Sequence, residues 1–262
     1  VYEFQQIAAA LYLAAGVGAL LGLVLPAPRM LLGARLGLAL GAVFQTVAFA
    51  TLHRLDPAPA LTDLGQAISV TAWLGVLFGL ALLSRIRLAG FLPVLGFVAF
   101  LAAFGATLSD PNETTLVEGS GSIPHAHVLL ASAGLAALGL AGLAGLFFLL
   151  EHRSLKRRRP VARRIPLPSL EALDRANRVA LSLGFALLTF GVATGILWNE
   201  ARSGRVLSGG LHETWTVFAW LIYLGLVLLR FLGHQGARQA AASSLAGFAF
   251  LVFAVVGIGI VS

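Results

Sequence analysis

Eight stretches of mostly apolar residues, each near 20 residues long, divide this chain of 262 residues. That is the length an α-helix needs to cross the ~30 Å hydrocarbon core of a bilayer. The stretches are Phe4–Leu25, Leu31–Leu52, Leu64–Leu83, Leu88–Leu108, His127–Leu150, Val179–Trp198, Trp215–Leu232 and Ala240–Val261. Pro26 and Pro28 punctuate the first turn, Pro57 and Pro59 the second. Asp110-Pro111-Asn112 opens a polar segment that runs to Pro124. The helix carrying the sixth stretch is expected to start earlier, near Ser169, and reaches about 45 Å by Trp198 at 1.5 Å per residue. The fold expected is all-α: a polytopic transmembrane helix bundle with eight spans, forming one integral membrane domain over residues 1–262. The first stretch has neither a basic n-region nor a small-residue cleavage site, so it is expected to be a retained span.

Composition agrees. Of the residues, 58% are hydrophobic and only 11% charged, against roughly 25% charged in soluble domains. The 30 glycines suit helices that must approach closely, because lipid supplies no hydrophobic drive for association. Cysteine is absent, which excludes disulfides, thiolate metal sites and thiol catalysis.

Orientation follows from the asymmetry of Lys and Arg. Of the 18 basic residues, 15 fall on one side, from Arg29 and Arg35 through Arg153, Lys156 and the Arg157–Arg164 run to Arg230 and Arg238. The other side holds Arg54, Arg202 and Arg205 with eight of the 11 acidic residues. The first side is therefore expected to be cytoplasmic, loop 153–164 included, and both termini extracytoplasmic. The net charge of +7 then reads as a positive-inside anchor near anionic lipid. No aromatic residues interleave with the arginines for base stacking, so no nucleic-acid partner is expected; the partner is the lipid bilayer.

Four of the six histidines share the outer interface: His53, His125, His127 and His212. His152 and His234 lie on the cytoplasmic side. A neutral imidazole is a good axial ligand for haem iron, and His53 and His127 come from different spans. A histidine at a wet helix end is equally explained by its amphipathic ring. Trp198 and Trp215 flank the outer loop Asn199–Thr214. They read either as interfacial anchors or as an aromatic platform under a planar ligand. The residues alone leave both pairs of readings open. His125 and His127, two apart, point about 200° from each other on a helix and do not suit one metal.

Longer patterns carry a resemblance. Ala126-His127-Val128-Leu129-Leu130 leads into a Gly/Ala-rich span and then Glu151-His152-Arg153-Ser154-Leu155-Lys156. Leu167-Pro168-Ser169-Leu170-Glu171-Ala172-Leu173-Asp174 precedes Gly184-Phe185-Ala186-Leu187-Leu188-Thr189. Then come Gly195-Ile196-Leu197-Trp198, Glu213-Thr214-Trp215, Trp220-Leu221-Ile222-Tyr223 and Gly233-His234-Gln235-Gly236-Ala237-Arg238. In order and spacing, residues 123–262 resemble the cytochrome c assembly family, which comprises CcsA/ResC haem-handling proteins and smaller HemX-like members. Residues 1–122 match it more loosely, in His53 and in Ala67-Ile68-Ser69-Val70-Thr71-Ala72-Trp73.

The resemblance implies a haem b-binding membrane protein of cytochrome c biogenesis in the bacterial inner (cytoplasmic) membrane. It would act with a membrane protein partner of a cytochrome c maturation or respiratory complex. It places the family's periplasmic His on His127 and an early-span His on His53, as ligands of the haem iron. His212, Trp198 and Trp215 complete the expected cofactor-binding set. The Trp-rich loop of CcsA-type haem lyases, ending Trp-Asp-Pro-Lys-Glu-Thr-Trp, is reduced here to Gly210-Leu211-His212-Glu213-Thr214-Trp215. The expectation is accordingly a HemX-like binder without independent catalysis and with no catalytic residue. Two alternatives stand beside it: a CcsA-type haem lyase core attaching haem to apocytochrome c, and a structural or regulatory subunit of a larger complex without haem.

Reporter fusions test the layout. A fusion between Lys156 and Arg164 should report cytoplasm and one between Asp110 and Gly121 the outer side; an outer report from the Arg-rich loop would invert the topology.

Overall fold

In lipid, a backbone N–H or C=O without a partner costs several kcal/mol, and a helix satisfies them all internally. The computed structural model describes residues 2–25, 27–52, 54, 64–86, 88–108, 122–156, 168–204 and 210–261. Among them are eight α-helices and no strand: α1 (Glu3–Val24), α2 (Pro28–Leu52), α3 (Leu64–Arg85), α4 (Phe91–Ala106), α5 (Ser122–Lys156), α6 (Leu170–Ser203), α7 (Leu211–Phe231) and α8 (Ala237–Val261). Pro28 opens α2 and Pro124 lies in the first turn of α5, where a missing N–H costs no intrahelical bond.

Seven of the eight are long and apolar enough to cross a membrane, which makes this an integral membrane protein. The exception, α4, has 16 residues, about 24 Å of helix. Turns at both ends, Phe91 N–H to Leu88 O at 2.9 Å and Leu108 N–H to Gly105 O at 3.0 Å, extend it over the apolar stretch Leu88–Leu108. α5 and α6 have 35 and 34 residues. Each runs about 50 Å, well beyond one hydrocarbon thickness.

Two expected boundaries move. Ser122-Ile123-Pro124, expected in the polar segment, belongs to α5. The outer loop Asn199–Thr214 is shorter than expected, because α6 continues to Ser203 and α7 starts at Leu211. The end of α6 is set by Gly204, at φ +65°, whose N–H reaches Glu200 O at 2.8 Å. A left-handed residue closing the last turn is a common helix stop that glycine adopts without strain. Hydrophobicity ends at Trp198, but hydrogen bonding carries the helix further.

The helices form two compact units, one of residues 1–118 with 154–169, the other of 119–153 with 170–262. In the first, α1 packs on α2 and α4, and α3 on α4 and α2. A Cβ at Gly96 would sit 2.6 Å from the Gly16 backbone, so α1 and α4 touch main chain to main chain. A buried polar network crosses this unit. Tyr12 Oη donates to Gln45 Oε1 (2.7 Å), Gln45 Nε2 to Ser69 Oγ (2.8 Å), and Gln5 Nε2 to Ser69 Oγ (3.2 Å). On its outside Leu32, Leu36, Leu40 and Val43 are each more than half exposed, an apolar stripe at helical spacing that suits lipid.

In the second unit, α5 and α6 run antiparallel along a close seam. Ala131 faces Gly191, Gly134 faces Leu188, and Leu138 faces Gly184; a Cβ added at any of the three glycines would lie within 2.9 Å of a backbone atom of the opposite helix. Asn177 Nδ2 donates to Ala141 O at 2.8 Å, and Ser244 Oγ of α8 to Asn177 Oδ1 at 3.4 Å. α7 packs on α6 and α8, and Trp220 Nε1 donates to Thr189 Oγ1 at 3.0 Å. At the other end of α6, Asp174 holds Arg178 and the nearly buried Arg230 of α7 in ion pairs.

Gly96→Ala and Gly134→Ala should each destabilise the protein by about 1–3 kcal/mol, the usual cost of overpacking. Gly18→Ala, with nothing within 4 Å of the new Cβ, should not. Thermal unfolding in detergent measures the difference, and equal stability of all three variants would remove the seams from the account.

Candidate functional site

The α5–α6 seam has one further step. Past Ala131 and Gly191, the residues that meet are His127 and Gly195. A Cβ at Gly195 would lie 2.8 Å from His127 Cε1 and 2.9 Å from Nδ1, so the imidazole occupies the space a side chain would take. The ring lies flush against α6 and is half-buried.

Its Nδ1 is 2.8 Å from the carbonyl oxygen of Gly191. A carbonyl can only accept, so Nδ1 carries the proton and donates it. In the neutral ring Nε2 is then left with a bare lone pair. Histidines that bind metals show this arrangement, with the non-ligating N–H held by a carbonyl or carboxylate that fixes tautomer and orientation.

His127 lines a cleft of about 160 Å³ shared by α5, α6 and α7. Val192, Ile196 and Val217 supply apolar walls, and Asn199, Arg202 and Glu213 polar ones. Trp198 is also in the lining, its ring centroid 6.0 Å from that of His127 and tilted by 42°. Gly191, Gly195, Trp198 and Arg202 follow one another at intervals of four, three and four, which puts them on one face of α6. The cleft is smaller than the roughly 300–1,000 Å³ that encloses a drug-sized ligand. It does not enclose a ligand of that size.

The other expected site residues are placed as follows. Trp215, four residues before α7's Ala219, turns toward α8, where its ring lies 6.0 Å from Phe250; it does not line the cleft. His212 is in the first turn of α7, next to Glu213, and its side chain lies outside the described residues. His53 also lies outside the described residues. His125 is half-buried on α5 and absent from the cleft lining. His152 stacks on Phe148 at 6.1 Å and 10°, far along α5 from His127. His234 is exposed, at φ 49°, between α7 and α8. Among the described residues, no cluster of three or more His, Cys, Asp or Glu could hold a metal ion.

Sequence reasoning points to His127 and Trp198 but misses Gly191, Gly195 and Arg202. A signal for the glycines is present: Gly191 and Gly195 are one helical turn apart, as are Ala131 and His127 on the facing helix. Arg202 is hidden because the residues after Trp198 read as loop, where spacing says nothing about direction.

The donor set fits a metal that brings most of its own ligands. His127 offers one nitrogen, hydrogen-bonded as metal-binding histidines are. Trp198 offers a flat apolar neighbour, and Gly195 removes the side chain that would close the approach.

Residues 61–262 match the family described as Cytochrome C assembly protein. The match begins ahead of the stretch that carries the resemblance most closely and takes in α3 and α4. Among relatives, a Cytochrome c biogenesis protein CcsA of Synechococcus sp. (strain JA-3-3Ab) is 34% identical over 103 residues, 38% of this chain and 30% of that protein. One of Prochlorococcus marinus (strain MIT 9303) is 29% identical over 96 residues, 37% of this chain and 30% of its own length. Another, of Synechococcus sp. (strain WH7803), is 33% identical over 91 residues, 34% of this chain and 28% of its own length. The aligned stretches thus span under a third of these relatives. With the family match covering most of the chain, this all-helical membrane protein belongs to the cytochrome c assembly protein family.

Proposed function

We propose that the chain binds haem, as haem b, at the α5–α6–α7 cleft and handles it during cytochrome c maturation. The observation that carries this reading is the His127 hydrogen bond to Gly191 O at 2.8 Å, on a residue that lines the cleft. It leaves Nε2 as a ready donor to iron. Bound haem supplies an iron centre that accepts axial nitrogen ligands. His127, kept in one tautomer by Gly191 O, would hold the haem, with Val192, Ile196, Val217 and Trp198 as its apolar neighbours. Arg202 and Asn199 would offer hydrogen bonds to its carboxylates. A bare metal ion would need further protein ligands near His127; a porphyrin brings four nitrogens of its own.

A second histidine that would hold the haem is His53, where the family resemblance sets an early-span histidine. His212 is the reserve. The names of the CcsA relatives support a place in cytochrome c biogenesis; the partner proposed is a membrane protein of a maturation or respiratory complex. The charge asymmetry supports loop 153–164 in the cytoplasm, and the bacterial relatives a bacterial inner membrane. No catalytic residue is assigned.

Purified chain, reconstituted with haem, should show a Soret band and the α band of reduced low-spin haem b. His127→Ala and His53→Ala should each abolish the low-spin spectrum, while His152→Ala and His234→Ala leave it intact. Loss in His212→Ala together with an unaffected His53→Ala would reassign the second ligand. A folded protein that takes up no haem would overturn the reading in favour of a subunit without cofactor.

A further inference from the structure

The carbonyl that orients His127 is contested. Thr194 Oγ1 lies 2.9 Å from Gly191 O and 2.9 Å from Phe190 O. A hydroxyl has one proton to donate, so it divides between the two acceptors. Gly191 O also belongs to the α6 ladder, where the donor four residues on is the amide of Gly195. With Nδ1 of His127 at 2.8 Å, three donors converge on an oxygen that has two lone pairs.

We propose that Thr194 is a positioning residue that sets the donor strength of His127 by competing for the Gly191 carbonyl. Each additional donor draws electron density from the oxygen and weakens its hold on the Nδ1 proton. A weaker hold leaves the imidazole less electron-rich, and Nε2 a weaker donor. The threonine has an ordinary structural use, since Ser and Thr in helices often bond back three or four residues. That use requires only the Phe190 carbonyl. What distinguishes this threonine is that its alternative acceptor is the one that fixes the imidazole. The inference goes beyond the haem reading in its first part, which concerns only the protein, and rests on that reading in its second, which concerns the iron.

The test uses the full chain in lipid with ¹⁵N-labelled histidine, the His127 signals being assigned by their loss in His127→Ala. Without haem, Nδ1 should be protonated and Nε2 bare. Thr194→Val, which keeps the shape and removes the proton, should move the Nδ1–H proton downfield, as a stronger hydrogen bond does. Thr194→Ser should restore the wild-type resonance. An Nε2-protonated ring, or a proton shift indifferent to Thr194→Val, would overturn the proposal. With haem bound, Thr194→Val should raise the preference for ferric over ferrous iron by roughly three- to tenfold, at or below the roughly 10–100-fold by which outer-shell partners change metal affinity. A tenfold change is a potential about 59 mV more negative for a one-electron couple, and Thr194→Ser should return it. An unmoved potential in protein that binds haem through His127 would overturn the link to iron. A proton shift in protein that takes up no haem would remove the haem reading and leave the role of Thr194 standing.

Discussion

The second unit depends on how closely α5 and α6 approach. Lipid tails are as apolar as the side chains they meet, so helices in a membrane gain little by hiding leucine from them. What remains is packing, and packing improves when one backbone can reach another. Gly134, Gly184 and Gly191 permit that reach. Once they are in register, Asn177 finds the Ala141 carbonyl at one end and His127 finds the Gly191 carbonyl at the other. The same contact that holds the helices together therefore determines the rotation and depth of the imidazole. Nothing local to His127 could do this, because a histidine on an isolated helix is free to choose among its rotamers.

The first unit solves the same association problem with different chemistry. Gly16 and Gly96 supply one close contact, but amides and hydroxyls supply the rest. Gln5, Tyr12, Gln45 and Ser69 are fully buried, and each bonds to another of the four. Hydrogen bonds between membrane helices are individually modest, about 0.6 kcal/mol on average by double-mutant cycles. Their greater value is directional. An apolar interface can slide or rotate at little cost, whereas these hydrogen bonds form in one register of α1, α2 and α3.

Much of this is legible in the sequence, and the limits have physical causes. Apolar length locates every helix, because hydrophobic thickness is a property of the bilayer and is written in consecutive residues. It misplaces the ends of α5 and α6, since helices continue past the lipid as long as backbone bonds can be made; Gly204 stops α6 by conformation and not by polarity. Topological depth singles out His127 and Trp198. Depth gives no rotation about the helix axis, which is why Trp215, at a similar level, turns to Phe250 while Trp198 stays beside His127. Gly195 and Arg202 become readable only once α6 is known to be a continuous helix carrying both on one face.

The stop at Gly204 has an electrostatic consequence at the cleft. Peptide dipoles add along a helix to about half a negative charge at its C-terminus and half a positive charge at its N-terminus. α6 ends beside the cleft and α7 begins there, so the two poles lie together. Arg202 stands in the last turn of α6 and Glu213 in the first turn of α7, each opposite in sign to the pole it occupies. Arg202 and Glu213 thus each offset the pole beside them, while Glu200, in the same last turn of α6, adds to the negative one. Charges of both signs therefore stand in one cleft lining, where screening by salt confines each to short range.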